Sequence, residues 1–355
     1  MKEKLDVQAL ANASCPSPLA SDRIILPHGA GAGASARLFE TLLWPHFRND
    51  ALGARHDGAV LAFGDGAERL AFTTDSYVVH PIEFPGGDIG SLAVHGTLND
   101  LAMCGALPLG LSCALILEEG LSLATLERIV ASMAQAARAA GISIVTGDTK
   151  VVERGKGDGL YVNTAGVGRV PGGRVLRPDR VRAGDAILVS GPLGDHGAAV
   201  LSVREGIEVD ADIVSDSAWL GSLVETLLEA APGTRCLRDP TRGGVGAVLH
   251  EIGAASQLAI EVDEPALPVR EPVRVVCELL GLDPLFLASE GRCVAFVPEG
   301  EARGALAALR GHALGAEAAR IGTVQPGPPR VVVRTRAGTR RLLLLPAGDP
   351  LPRIC

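Results

Sequence analysis

The sequence predicts two α+β domains in tandem. Three observations lead there. The chain has 355 residues, more than one hydrophobic core usually serves. Strand-like and helix-like runs are mixed along both halves, with hairpin signals in each and no short repeat. Hydrophobic residues make up 47% and glycine occupies 44 positions, whereas 2 Trp, 2 Tyr and 7 Phe leave the core to Ala, Leu, Val and Ile.

The elements follow in chain order. Residues 1–22 read as a loose N-terminal extension. Ile24-Ile25-Leu26 reads as a short strand before the glycine-rich His28-Gly29-Ala30-Gly31-Ala32-Gly33, and residues 35–44 as a helix. Ala59–Phe63 and Arg69–Asp75 are strands joined by Gly64-Asp65-Gly66, a hairpin signal. Leu92, His95, Leu98 and Leu101 lie close to one face of a helix over Ser91–Ala102. Leu109–Leu117 is an apolar strand. Ser122–Ala140 is a helix with Ser122 as N-cap and Gly141 as its stop. Ile142–Val145 is a strand ending at Thr146-Gly147-Asp148-Thr149-Lys150, and Tyr161–Val167 is another. Pro-Gly-Gly and Arg-rich turns near 170–185 then mark a boundary, dividing a first domain at 23–172 from a second at 173–342. The second domain opens with a strand at Ala186–Val189 and has another at Val294–Pro298. Ser217–Ala230, Gly244–Ala255, Glu271–Leu280 and 301–314 read as its helices. Leu342–Leu345 looks like a final strand, so that residues 343–355 form its end and a tail.

Charge and hydropathy exclude some functions. With 33 basic and 41 acidic residues the net charge is −8, which argues against a nucleic-acid surface. Met1-Lys2-Glu3-Lys4-Leu5-Asp6 lacks the apolar core of a signal peptide, and no run approaches the ~18–20 apolar residues of a membrane span. A cytoplasmic protein with no nucleic-acid or membrane partner is expected. The 7 cysteines include no CxxC pair, against both a disulfide framework and a zinc knuckle. Cys104, Cys113, Cys277 and Cys293 sit in apolar contexts and read as small buried hydrophobes. Cys15 falls in the extension, and Cys236 is open.

Cys355 is different, because the chain ends on it. The segment Pro346-Ala347-Gly348-Asp349-Pro350-Leu351-Pro352-Arg353-Ile354-Cys355 can continue neither a helix nor a central strand. It reads as an extended, partly stiff arm with a thiol at its tip, reaching roughly 30 Å at about 3.3 Å per residue. A frayed terminus is the plainer reading of the tail by itself.

Three carboxylates stand out by context. Asp75 ends a strand in Thr73-Thr74-Asp75-Ser76, Asp100 follows Asn99 inside an apolar helix, and Asp148 sits at a strand end before Thr149. Carboxylates from separate elements can converge on a hard cation such as Mg²⁺, which is usually held by a few of them plus substrate phosphates. Each alone reads equally as a turn cap. The 28–33 loop has the small residues that let backbone N–H groups approach phosphate, but no Walker lysine follows. Gly86-Gly87-Asp88, Gly194-Asp195-His196-Gly197 and Arg238-Asp239-Pro240-Thr241-Arg242-Gly243-Gly244 are further loops of this kind, the last opening a helix where an anion can bind. Lys150 and Glu290 are candidate proton-handling groups, although sequence context favours exposed side chains for both.

Together these motifs resemble the HypE family of nickel–iron hydrogenase maturation proteins, within the superfamily of aminoimidazole ribonucleotide synthetase. The matching stretches are 73–79, 84–90, 96–102, 116–120, 146–152, 194–197 and 238–244, and the terminal Pro352-Arg353-Ile354-Cys355 is the family-specific one. The first loop departs from the family's usual pattern at Ala32. His56-Asp57 stands where paired acidic residues are common, which makes Asp57 a weaker metal candidate. The resemblance implies a two-domain aminoimidazole ribonucleotide synthetase-like α+β fold with a mobile tail. It implies that a HypF-type carbamoyltransferase loads Cys355, that ATP drives dehydration of the carbamoyl group to a thiocyanate, and that cyanide passes to iron on a HypC–HypD complex. Cys355, Lys150 and Glu290 are then catalytic. Gly29, Gly31, Asp75, Asn99, Asp100, Asp148 and Thr149 bind the nucleotide, and Asp75, Asp100 and Asp148 hold Mg²⁺. A homodimer joined through the N-terminal domains is also implied. The rivals are a superfamily kinase or synthetase acting on a small molecule, a non-enzymatic iron or cyanide carrier, and a scaffold.

Overall fold

In the computed structural model, residue 24 and residues 26–29, 33–63, 68–207, 212–346, 351 and 353–355 are described. The N-terminal extension with Cys15, the turn at 64–66 and Gly31 lie outside them. Short helical segments at Gly33–Leu38, Trp44–Phe47 and Asp50–Gly53 precede the first sheet. Leu26, expected to end a strand over Ile24-Ile25-Leu26, instead opens a 3₁₀ turn at Leu26–Gly29.

The first sheet is built from β1 (Ala59–Phe63), β2 (Glu68–Tyr77), β5 (Leu107–Glu118), β6 (Ile144–Val152) and β7 (Leu160–Val170), in the order β1-β2-β7-β5-β6. The two-residue strands β3 (Glu83–Phe84) and β4 (Gly87–Asp88) form a small separate pair. Only β5 and β6 run parallel. Two helices, α1 (Ile89–Met103) and α2 (Leu123–Ala139), back this sheet. Asp88 caps α1 by accepting from the backbone of Gly90 and Ser91, and the Ser91 hydroxyl answers to the Asp88 N–H. Most of α1 is buried, including Leu92, Val94, Leu98, Asn99 and Leu101. A helix apolar all round belongs in an interior, and α1 lies between the first sheet and the second domain. The strand expected to stop at Val145 instead continues to Val152, because β6 stays in register with β5 from Ser112 to Glu118. Asp148 is therefore mid-strand on a sheet edge.

The second domain holds β8 (Ala186–Val189), β9 (Cys236–Arg238), β10 (Ala259–Asp263), β11 (Val294–Val297), β12 (Ala319–Gln325), β13 (Arg330–Arg334) and β14 (Arg340–Leu342). Their order is β14-β13-β10-β12-β8-β11-β9. Helix α3 (Asp195–Glu205) packs toward the first domain and its small β3–β4 pair. Helices α4 (Gly221–Ala230) and α7 (Glu299–Gly311) share one apolar cluster with Leu188, Leu237 and Ala295. Helix α5 (Gly244–Ser256) belongs to another with Ile187, Val189 and Phe296. Helix α6 (Glu271–Leu280) lies against α3. Where helices cover both faces the strands are apolar throughout, and β8 and β11 are each buried at all four positions. Two expectations need correcting. The helix read from Ser217 begins only at Gly221, because Ser215–Leu220 is an extended strap hydrogen-bonded to its neighbours. The final strand keeps only Leu342 of the four leucines, and β13 is its sole partner.

Candidate active site

The tail is seated inside the molecule. Leu351, Ile354 and Cys355 are 4%, 3% and 8% exposed and share an apolar cluster with Tyr77, Val79, Ala198 and Leu201. Backbone bonds fix the pose: Val78 N donates to the Cys355 carbonyl at 3.2 Å and His80 N to the Arg353 carbonyl at 3.2 Å. His196 Nε2 reaches the Ile354 carbonyl at 2.8 Å, and Arg204 Nη2 reaches that of Arg353 at 2.6 Å. Arg353 itself donates to the Val78 carbonyl at 3.1 Å and pairs with Asp158. The described end of the arm, Leu351 and Arg353–Cys355, thus has a defined resting place, between β2 and α3.

The Cys355 thiol lies among charges. Burial, and then the Glu290 carboxylate, push it well above the ordinary thiol range, while Arg242 pulls the other way. Glu290 is 2% exposed, not on the surface as its sequence context favoured. Among the described residues its buried Oε1 has no hydrogen-bond partner, and burial and Asp239 hold its carboxyl well above the usual range. Arg242, from the turn before α5, faces Cys355, stands 3.8 Å from Asp75 and donates to the Gly29 carbonyl at 3.2 Å. The first glycine loop, β2, the α5 turn, the Glu290 loop and the tail meet here.

Beside this point is a carboxylate cluster. Asp57, Asp100 and Asp239 place carboxylate oxygens within 4.8 Å of one another. Thr73 donates to Asp100 at 2.6 Å, and Arg238 pairs with Asp57 at 2.5 Å. Burial pushes Asp57 and Asp100 well above the usual carboxylate range, Asp100 further raised by Asp239, and it lifts Asp239 to about 6. The Arg238 guanidinium does not neutralise three such carboxylates, and Asp57 Oδ2 has no hydrogen-bond partner among the described residues. Hard oxygen donors short of positive charge fit a divalent cation such as Mg²⁺. A cavity of about 930 Å³ opens next to Asp57, Thr73 and Thr74, with Phe39, Leu52 and Phe72 in its walls. That is room for a nucleotide-sized ligand.

Three placements differ from the sequence reading. Asp148 does not join Asp75 and Asp100 within one chain. It pairs with Ala114, Ala114 with Asn163, and Asn163 with Ser76, so three strand spacings intervene. At about 4.8 Å each they separate Asp148 from the Asp75 strand by about 14 Å. Thr149 and Lys150 are on the same exposed strand, and Lys150 is 2.7 Å from Asp148, which it holds below the usual carboxylate range. Asn99 is 1% exposed and both its amide protons are spent: it donates to the carbonyls of Ala218 and Glu290 and accepts from Leu220 N. It clips the two domains together and is buried at their contact. Asp75 stands beside the carboxylate trio, close enough for Asp100 and Asp239 to feel its charge. The trio's other members, Asp57 and Asp239, were visible as loop acids, but no periodicity marks two loops that meet only through the fold. Cys236 is fully buried in β9, where burial pushes its thiol up.

The comparisons agree with this architecture. Residues 55–170 match the family described as AIR synthase related protein, N-terminal domain, and residues 182–334 match its C-terminal domain. A carbamoyl dehydratase HypE of Cupriavidus necator is 52% identical over 341 residues, 96% of this chain and 97% of that one. That of Escherichia coli is 50% identical over 339 residues, 94% and 100% of the two chains. A solved HypE in complex with ATP has a TM-score of 0.78 at 50% identity, covering 94% of this chain and all of the other. HypE in a HypE–HypF complex has a TM-score of 0.83 at 44% identity, covering 87% and 99%. The terminal thiol, the cation-fitting carboxylates and near full-length identity all point one way: the chain belongs to the carbamoyl dehydratase HypE family.

Proposed function

We infer that this chain is an ATP-dependent carbamoyl dehydratase that works on its own C-terminal cysteine in hydrogenase maturation. The observation that carries the reading is the seat of Cys355, buried beside Glu290 and Arg242 and next to the carboxylate cluster. Asp57, Asp100 and Asp239, with Asp75 beside them, are the residues to hold Mg²⁺, which would neutralise phosphate charge when bound.

The chemistry explains the layout. A thiocarbamate oxygen is a poor leaving group. Attack of that oxygen on the γ-phosphorus of ATP breaks the bond to ADP and makes a better one. Both N–H protons then leave, the C–O bond breaks and phosphate departs, giving S–C≡N. The net change converts thiocarbamate and ATP into thiocyanate, ADP and phosphate. Glu290, buried with an oxygen unpartnered among the described residues, is placed to take a proton when ionised, the form that Arg242 favours. Arg242 offers a fixed cation to the tail tip. Burial excludes water that would hydrolyse the activated intermediate. The same burial keeps the docked thiol protonated, so loading of Cys355 belongs to an undocked tail, presented to a HypF-type carbamoyltransferase. Cyanide transfer to a HypC–HypD iron complex needs the tail outside again.

We also propose a homodimer. Among the described residues, β6 is a sheet edge with nearly every position exposed. Val145, Val151, Leu109 and Ile116 add exposed apolar surface at 68%, 67%, 59% and 43%. A second copy covering this face would bring Asp148, Thr149 and Lys150 to the partner's site, which supplies the residues one chain leaves about 14 Å away. Mass spectrometry of the C-terminal peptide tests the activity. After carbamoylation, ATP should remove one water from the Cys355 adduct and Cys355→Ala should carry none. A carbamoyl group that persists through ATP treatment would sink the reading.

A further inference from the structure

The strap from Ser215 to Leu220 reaches the tail through His196 and meets the Glu290 loop directly. Its connections run in one direction. The Ile354 carbonyl can only accept, so His196 Nε2 is the donor in their 2.8 Å bond. Burial pushes His196 below its ordinary value, which makes the ring neutral and leaves Nδ1 as an acceptor. Ser215 Oγ, 2.8 Å away, therefore donates its proton to His196. The same oxygen accepts from Ser217 N at 3.1 Å, shaping the turn that contains Asp216. Asp216 then takes the amides of Glu290 and Gly291 on its two oxygens, at 3.1 and 3.3 Å. Asn99 ties the Ala218 and Glu290 carbonyls together from the other side, at 3.0 and 3.2 Å.

Packing makes this contact stiff. A Cβ on Gly291 would fall 1.7 Å from the Asp216 carbonyl oxygen, so the two backbones touch and neither can shift alone. At the other end the strap is held by Ser215 N on the Pro85 carbonyl at 2.8 Å. Phe84 meets the His196 ring edge-on at 5.2 Å.

We propose that Ser215 is a positioning residue which, through His196 on one side and Asp216 on the other, couples seating of the C-terminal tail to placement of Glu290. The proposal rests on the reading of Glu290 as a proton acceptor for a group carried on Cys355. When the tail is docked, the Ile354 carbonyl fixes the His196 ring, the ring fixes the Ser215 hydroxyl, and the strap presents Asp216 to the Glu290 loop. When the tail leaves, His196 loses one of its two partners and the strap loses its anchor. The base is thus ordered when its substrate arrives. Coupling of this kind is reciprocal.

Ser215→Ala tests it in the full-length protein, since Ser215 bonds to neither Cys355 nor Glu290. Two readouts are needed: the rate of iodoacetamide alkylation at Cys355, from the C-terminal peptide, and hydrogen exchange of the Glu290 and Gly291 amides. Loss of one net hydrogen bond predicts that both rise about fivefold, with the peptides of β8 and β11 unchanged. Ser215→Thr, which keeps the hydroxyl, should restore both. Ser215→Cys, close in shape and a poor hydrogen-bonder, serves if the alanine variant does not fold. An alkylation rate that rises without faster exchange at Glu290, the converse, or no change in either overturns the coupling. Dehydration by the carbamoylated wild-type protein is run alongside. If it fails, the functional reading falls, while the two structural readouts still decide the relay.

Discussion

Replacing Ile354 with alanine should release the tail. Ile354 is 3% exposed and packs in the cluster that includes Ala198, Leu201 and Leu351. Truncating a buried isoleucine costs about 2–5 kcal/mol. A tail can settle into the space left, so the low end applies, and about 2 kcal/mol corresponds to about a 30-fold change in the docked-to-undocked ratio. Cys355 reacts only when undocked. While the docked state dominates, its alkylation rate follows that ratio, so Ile354→Ala should alkylate about 30-fold faster than wild type. Arg353→Ala should act in the same direction but less. Its ion pair with Asp158 is about a third exposed on each side, at 33% and 36%, and such pairs contribute about 1 kcal/mol or less, roughly fivefold. Carbamoyl loading should be unimpaired in both variants and dehydration slowed, because one step uses the undocked tail and the other the docked one. Alkylation of Ile354→Ala at the wild-type rate would show that the buried pose is not the resting state.

Three further outcomes are expected. Mixed dimers of Lys150→Ala and Glu290→Ala chains should regain dehydration that neither variant shows alone, because one site then has Glu290 from one chain and Lys150 from the other; no recovery on mixing would place Lys150 in its own chain's site or outside catalysis. Asp57→Asn, Asp100→Asn and Asp239→Asn should each weaken magnesium–ATP binding about tenfold or more by calorimetry, and unchanged affinity in all three removes the cluster as a metal site. His95, beside Ser217 at 3.0 Å, is lowered by burial from 6.5 to about 4. The unfolded chain takes up this proton first, so the stabilisation is full above pH 6.5 and is lost as pH falls toward 4, by at most about 3 kcal/mol. Urea titrations at several pH values should show that loss, and His95→Gln should reduce it, leaving the share of His56, which burial lowers to about 3.

Much of the fold was legible because local pattern and tertiary environment agree. The run Ala186–Val189 and the helix Leu123–Ala139 each carry their periodicity and their stops in their own residues. The strap at Ser215–Leu220 was not legible, since its sequence suits a helix start and it is held open by partners more than 70 residues away, at Asn99 and Glu290. Leu343–Leu345 likewise has strand-like residues, but after Leu343 N bonds to the Val331 carbonyl at 2.9 Å the partner strand runs out at Arg330, behind Pro328 and Pro329.

The site divides along the same line. Cys355 and Glu290 were recognisable from motifs, yet their burial was not, because a carboxylate or a terminal thiol reads as exposed until something is known to cover it, whereas Asp100 stood inside an apolar run that announced its setting. Asn99 shows the opposite error: a polar residue next to an aspartate looks like a ligand, whereas its amide is consumed by three backbone groups of the second domain. Asp148 and Lys150 are the instructive pair. Sequence places them after an apolar run, as it does Asp75, and gives no sign that β7 and β5 separate the two strands. Strand order is a long-range property. An edge strand exposed along nearly its whole length and carrying both residues has its natural cover in another sheet edge. The distance that removes Asp148 from its own chain's cluster is therefore the same fact that motivates the proposed second copy.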